Sequence, residues 1–469
     1  MPAALDEAGL AALFDGSGRR FPAAASPRRT GSPTTRAALS TEDDSALKAL
    51  FGATRAATYA WPGYNVLAVP VLLVRPNGRA LLIGHPNPPA GFSPADFEGR
   101  AVWAADGQPL PEFFFGDSRI NGVNTFSFVL GASGASLESE AGLLAHERFH
   151  QYQEKVWGEP GAPAPYELED PADIAAAGAE QDALARALDD PARSKEALEE
   201  FLAVRRWRTT RHPEIADHEN WLERLEGTAR YVEFSALADA ASASGFLAKA
   251  LRKAPSLESM GRTRYYTTGA ALCLMLDRLD PSWKAEAAAG SAPAEILARR
   301  FHVPEAALDG MARHALAGPA YAGILAEASA DISRLAKARE EALSRFRAQP
   351  GLLLVFATSA SNSRSYRVMY HLPAGGGDLF DPADQLNIDD HGWSLRIRGR
   401  AVLLDVQDRP NFVVDPQAVM VDGSPYDLQT GRRTFGTLSV SQQGIAFSAA
   451  EGVLEYDGKV LLVRRRQGR

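Results

Sequence analysis

Two parts of the chain show closely spaced apolar runs, and a long central part shows apolar residues recurring at helical spacing. Residues 65–74 are almost continuously apolar, break at Pro76-Asn77-Gly78 and resume over 79–84, which predicts a β-hairpin. Short runs at 101–104, 112–115 and 123–130 predict further strands, and the glycines of 131–134 end the pattern. From 136 to about 348 the spacing is three and four residues, the signature of helices packed on one face. Helices are expected at 136–157, 172–188, 194–210, 217–235, 265–279, 293–301, 305–316 and 320–347. Ser136 is a candidate N-cap with Glu138 and Glu140 in the first turn, and Gly158 followed by Pro160 is a stop signal. Over 352–358, 366–372, 393–398, 401–406, 434–440 and 459–463 the strand pattern returns, broken by Gly, Asp, Asn and Pro. The expected architecture is α+β: an N-terminal extension (1–45), a β-rich subdomain (46–135), a helical subdomain (136–349) and an all-β, sandwich-like domain (350–469).

Composition narrows the function classes. The chain has 469 residues, 45% apolar and 23% charged, the mix of a soluble globular protein. No apolar run approaches the roughly 20 residues of a membrane-spanning helix. A net charge of -8 argues against nucleic acid and anionic membranes as partners. The basic stretch 205–211 is expected on an exposed helix face and Arg464-Arg465-Arg466 in a solvated tail. Cys273, the single cysteine, lies in an apolar helical run and is expected to be a buried, inert thiol. One cysteine forms no intrachain disulfide, so the compartment stays open. The first residues carry no basic segment followed by an apolar one, so no signal peptide is read in the sequence as given. Oligomeric state has no sequence signal.

The chemistry concentrates at His146-Glu147-Arg148-Phe149-His150, an HExxH motif inside a predicted helix. Positions i and i+4 lie one above the other on a helix, so both imidazoles reach one metal ion. Glu147 stands about 100° round the helix from His146 and can reach a water without binding the metal. Zinc with three protein ligands keeps a position for water and lowers its pKa to about 7. Glu147 would take and return that proton. Two histidines do not complete such a site, so a third ligand is required. The alternative is a pair of histidines on an ordinary amphipathic helix.

Downstream runs Glu226-Gly227-Thr228-Ala229-Arg230-Tyr231-Val232-Glu233. Here the sequence resembles the gluzincin metallopeptidases, the thermolysin-like superfamily. It is most similar to their aminopeptidase N branch, where an E-G-x-A-x-Y-x-E helix carries the third ligand. The resemblance covers about 120–280 and implies a thermolysin-like catalytic domain with Glu226 as that ligand. Glu233, two turns on, would support the site or compete for the metal, and His212 and His218 are the other candidates. Tyr266-Thr267-Thr268-Gly269 is similar to the Y-x-x-G element of the same branch. That likeness implies Tyr266 as the hydroxyl that stabilises the oxyanion, with Tyr265 as the alternative. The family binds extended substrate on an edge strand before the metal helix, which implies substrate contacts at Asn124, Thr125 and Phe126. The stretch between His150 and Glu226 is much longer than in those relatives, and no G-x-M-E-N element stands upstream to hold a free amino terminus.

The expectation is a metallopeptidase with one Zn2+ per chain that hydrolyses peptide bonds of a peptide or protein substrate, without nucleic-acid partner or membrane insertion. The competing expectation is a non-catalytic binding or scaffold protein built on a degenerate metalloprotease-like core.

Overall fold

The first helix, α1 (Thr41–Ala60), opens with a reciprocal cap. Asp43 N–H donates to Ser40 Oγ at 3.1 Å, and Ser40 N–H to Asp43 Oδ2 at 3.0 Å, which satisfies two donors at the helix start. The computed structural model describes residues 37–465 apart from 112–113, 159–168, 238–239, 358–362, 367 and 373–375. Most of the expected extension, and the last residues of the basic tail from Arg466, therefore lie outside the described residues. The fold is mixed α+β and divides into two units, Met1–Asp331 and Ile332–Arg469.

The first unit holds a six-stranded sheet. Its strands are β1 (Val71–Val74), β2 (Ala80–Ile83), β3 (Ser93–Phe97), β4 (Arg100–Ala105), β5 (Phe115–Ile120) and β6 (Val123–Val129), in the order β3-β4-β2-β1-β6-β5. Only β1 and β6 run parallel. The expected hairpin forms from 71 onwards. Residues 65–68 turn instead, because Asn65 Oδ1 accepts from Leu67 N–H (3.0 Å) and Asn65 O from Ala68 N–H (3.1 Å), a side-chain-driven turn that outcompetes the apolar run. The sheet order also corrects the substrate strand. β6 is paired to β5 over Val123–Phe128 and to β1 only over Phe126–Val129, so Phe126 is inside the sheet and Thr125 is buried, whereas Asn124 lies beyond the end of β1 and is exposed. The edge on that side is β5.

The helices follow: α2 (Leu137–Trp157), α3 (Pro171–Asp189), α4 (Ser194–Arg211), α5 (Pro213–Leu222), a π-helical turn (Glu223–Gly227), α6 (Thr228–Leu237), α7 (Ala240–Leu251), α8 (Leu257–Gly261), α9 (Thr263–Leu279), α10 (Trp283–Ala288), α11 (Pro293–Phe301), α12 (Glu305–Ala315) and α13 (Pro319–Arg347). Ser136 caps α2 by accepting from Ser139 N–H, and Gly158 ends it at φ 78°. One core joins α1, one face of the sheet, α2, α6 and α9, with Leu47, Phe51, Phe126, Leu144, Phe149, Phe234 and Leu272 all inside. Beneath α2, Trp61 meets Phe149 edge-on at 5.0 Å and Trp283 at 5.4 Å. Tyr64 donates its hydroxyl to Ala145 O at 2.6 Å.

A buried ion network binds α3, α4, α5, the π-turn and α9. Arg208 is fully buried and donates to Asp173 (2.8 and 3.0 Å), Glu180 (2.9 Å) and Glu219 (2.8 Å). Arg205 forks onto Glu223 at 2.9 and 3.1 Å and reaches Glu180 at 3.1 Å. Arg264 donates to Glu180 at 2.7 Å and Glu219 at 3.0 Å. The basic stretch expected on an exposed face is therefore split: Arg211 faces outward, whereas Arg205 and Arg208 point into the protein. The carboxylates that recruit them are scattered along the sequence, so charge density alone cannot reveal the burial.

In the second unit β7 (Leu352–Ala357), β8 (Ser363–Tyr366), β9 (Met369–Leu372), β10 (Gly377–Asp390), β11 (Trp393–Ile397), β12 (Arg400–Leu404), β13 (Pro410–Val414), β14 (Val419–Val421), β15 (Ser424–Pro425), β16 (Gly431–Gln442), β17 (Ile445–Tyr456) and β18 (Val460–Arg465) form one 12-stranded sheet. A two-sheet sandwich is not what forms. The path β11-β10-β12-β13-β7-β18-β17 returns to β11 through the β11–β17 pair, so the sheet closes around its own core of Leu354, Phe356, Trp393, Phe412, Leu454 and Val463. Closure removes exposed strand edges.

The network generates a pH prediction. Burial pushes the Glu219 carboxyl up, but Arg208, Arg205 and Arg264 overcome it and hold the group far below its ordinary 4.5. A depressed folded-state value means the stabilisation is complete above about pH 4.3, the unfolded value, and is lost as pH falls below it. Arg208→Met should cost about 3–5 kcal/mol in denaturant unfolding at neutral pH, because the carboxylates stay buried without their cation. That deficit should shrink as the pH is lowered through the carboxylate range, and a deficit independent of pH would refute the assignment.

Candidate metal centre

Four segments build the centre: α2, the π-turn, α6 and the start of α9. His146 and His150 stand one turn apart on α2 with Nε2 atoms 3.1 Å from each other. Glu226 Oε2, on the π-turn, lies 3.6 Å from His146 Nε2 and 3.2 Å from His150 Nε2. His146 and Glu226 are buried and His150 is half-buried. Ligands held at about 2.0–2.1 Å by a tetrahedral zinc are about 3.4 Å apart, so the three spacings fit one ion. Glu226 Oε2 is buried and has no hydrogen-bond partner among the described residues, an arrangement expected of a carboxylate oxygen reserved for a cation. The group His146–His150–Glu226 can hold a metal ion.

Neighbouring side chains set the direction of each ligand. Gln153 donates its Nε2–H to Leu225 O at 2.9 Å and Thr228 Oγ1 at 2.8 Å. Its amide orientation is thereby fixed, and its Oε1 faces His150 Nδ1 at 2.8 Å. His150 must then carry its proton on Nδ1 and present a bare Nε2 lone pair to the centre. On the other side Glu233 Oε2 lies 3.1 Å from His146 Nδ1, while Arg230 holds the second Glu233 oxygen. Glu233 thus meets the remote nitrogen of His146 and orients it. Arg262 Nη2 donates to Glu226 Oε1 at 2.6 Å, which leaves Oε2 for the ion.

The electrostatics ask for positive charge. Burial disfavours an imidazolium at His146, yet Glu226 and Glu233 raise its pKa to about 10. Burial acts to raise Glu226, but the two imidazoles bring it well below the ordinary carboxylate range. Glu147, half-buried beside them, is raised by burial against the pull of His146 and His150, the direction suited to a general base. Burial and then the Glu226 charge push the Tyr266 phenol far above its ordinary 10.0, with Arg262 opposing, so Tyr266 keeps its proton and can donate it. The ring of Tyr266 stacks on His146 with centroids 5.9 Å apart and planes 9° apart. Tyr265 is turned away: it is buried and donates to Glu219 at 3.1 Å.

Two glycines let these segments meet. A Cβ on Gly227 would lie 2.5 Å from Gly269 Cα, and one on Gly269 would lie 2.6 Å from Gly227 Cα. Backbone on backbone leaves no side chain to yield, so the second letter of E-G-x-A and the last of Y-x-x-G answer each other. The π-turn is the other local device. In an unbroken α-helix Glu219, Glu223, Glu226, Arg230 and Glu233 would share one stripe at i, i+4, i+7, i+11 and i+14. The wider turn divides the stripe, sending Glu219 and Glu223 into the ion network and Glu226 and Glu233 to the imidazoles.

His212 and His218 do not join the group. His212 Nε2 lies 3.1 Å from Asp170 Oδ2, and His218 Nε2 lies 2.9 Å from Gly261 O. Gln153, Arg230 and Arg262 escaped the sequence reading. Gln153 had a signal, being three residues beyond His150 on the same helix face, whereas nothing in the local pattern marks Arg262.

No protein-family model, curated protein or solved structure matches the chain.

Two outcomes follow. Gln153→Ala and Glu233→Gln should each weaken the affinity of the group for a divalent ion, probed with zinc, by about 10–100-fold, measured by competition with a chelator of known affinity, and unchanged affinity in both would show that the imidazoles need no orienting. Gly269→Ala should lower stability by about 1–3 kcal/mol through overpacking and weaken zinc binding with it. Equal melting and equal zinc affinity would mean the two backbones can separate at no cost.

Proposed function

We propose that the protein is a zinc-dependent metallopeptidase of gluzincin type, with His146, His150 and Glu226 as ligands to one Zn2+. The observation that carries this reading is the convergence of two imidazole nitrogens and a buried, hydrogen-bond-free carboxylate oxygen at tetrahedral spacing, with Glu147 beside them. When bound, zinc supplies the Lewis acidity that acidifies a water molecule and polarises the scissile carbonyl. Glu147 takes the proton of that water and hands it to the leaving amine. Tyr266, protonated at neutral pH, donates its hydroxyl to the negative charge developing on the carbonyl oxygen. Glu233 and Gln153 keep the two imidazoles in the ligating tautomer throughout. An extended substrate can add to the sheet along β5, which is tied to the metal helix by Gln151 Nε2 donating to Asp117 Oδ2 at 2.7 Å.

The general base distinguishes an enzyme from a scaffold, since a purely structural ion has no use for Glu147. Elemental mass spectrometry should find about one zinc per chain, lost in the double variant His146→Ala/His150→Ala. Glu147→Gln should keep the zinc and lose peptide hydrolysis by at least about a thousandfold, and Tyr266→Phe should lower kcat by about 10²–10³. Full zinc occupancy with hydrolysis unchanged in Glu147→Gln would remove the enzymatic reading and favour the binding-protein one.

A further inference from the structure

Arg262 is the exposed charge of the centre. One of its N–H groups is spent on Glu226 Oε1, which anchors the guanidinium beside the ligands. Yet 63% of the side chain remains accessible, and a guanidinium has five N–H donors arranged as a fork. Its Cζ lies 5.8 Å from the centre of the Tyr266 ring, so it stands on the side of the centre where the oxyanion donor is assigned. Burial opposes its charge, and Glu226 and then Tyr266 support it, each through charge and a hydrogen bond.

The charge balance sharpens this. With both imidazoles neutral, as ligation requires, Glu147, Glu226 and Glu233 oppose Arg230 and Arg262, a small negative excess that a divalent ion would reverse. Arg230 is buried against Glu233, so the excess positive charge is met by solvent at Arg262. A carboxylate arriving there finds a planar fork suited to two parallel hydrogen bonds.

Resting on the metallopeptidase reading, we propose that Arg262 is a specificity-determining residue that receives a substrate carboxylate, so that the centre selects peptides carrying a carboxylate close to the scissile bond. That carboxylate belongs either to an acidic side chain or to a free C-terminus. A residue that merely tethers Glu226 would change zinc affinity and would treat charged and neutral ligands alike.

The test uses the full chain loaded with zinc and three probes sharing one zinc-chelating hydroxamate: a malonyl hydroxamate of alanyl-glutamine amide, of alanyl-glutamate amide, and of alanyl-glutamine with a free carboxylate. Calorimetry should show one acidic probe binding at least about tenfold tighter than the neutral one at low salt, with the advantage reduced at about 0.3 M salt. The acidic probe that wins identifies the source of the carboxylate. In Arg262→Gln, measured at full zinc occupancy, the ratio of acidic to neutral probe affinity should fall to about one, whatever zinc affinity is lost by freeing Glu226 Oε1. If that variant loses zinc, Arg262→Lys decides, and its ratio should fall severalfold because the fork is gone. Equal binding of all three probes to the zinc-loaded wild type, or an acidic preference that survives both substitutions, overturns the role of Arg262 alone. Failure to take up zinc, with no probe bound, overturns the metallopeptidase reading and this inference together.

Discussion

Arg208 has no access to water, and a guanidinium cannot shed its proton to escape burial. Every helix that surrounds it must bring a carboxylate to a set place: Asp173 and Glu180 from α3, Glu219 from α5. Arg205 and Arg264 extend the requirement to the π-turn and α9 through Glu223 and Glu219. The arrangement leaves α5, the π-turn and α9 little freedom to slide. These are the elements that deliver Glu226 and Tyr266, so the geometry of the centre is set by charges that never touch it.

The centre itself is assembled from the same economy of close contact. Gln153 closes a chain of hydrogen bonds from His150 to the carbonyl of Leu225, so the metal helix reads the position of the π-turn directly. Gly227 against Gly269 then brings the tyrosine helix to backbone distance. Nothing in this set is loose enough to be repositioned by a ligand without disturbing a buried partner.

How much of this could be seen in the sequence follows from what is local. His146, Glu147 and His150 lie within one helical turn, and their spacing implied a shared ion before any fold was known. Most of the long helices were visible from apolar periodicity. The helices α7, α8 and α10, the strands β3, β10, β13, β14, β15 and β17, and all of β5 beyond Phe115 were not, since their patterns are short or carry polar residues. α1 was missed because alanine and threonine blur its apolar face. Where β6 has a second neighbour was not visible, because a run of apolar residues cannot say where its partner strand ends. Arg262 and the burial of Arg208 depend on residues far apart in the chain, and no local rule reaches them.

The π-turn has a consequence for how this protein can change over time. A π-turn is a helix that has taken in one residue without breaking. The wider turn advances each residue by less than the roughly 100° of an α-helix, so Glu223–Gly227 absorbs that residue and the helix downstream keeps the direction it would have in a chain one residue shorter. What the extra residue changes is which side chains fall on which face, so that Glu219 and Glu223 meet the arginines while Glu226 and Glu233 meet the imidazoles. One continuous stretch of chain thereby serves two neighbouring sites, and the turn between them is a place where a residue can be gained or lost with the flanking helices left in register.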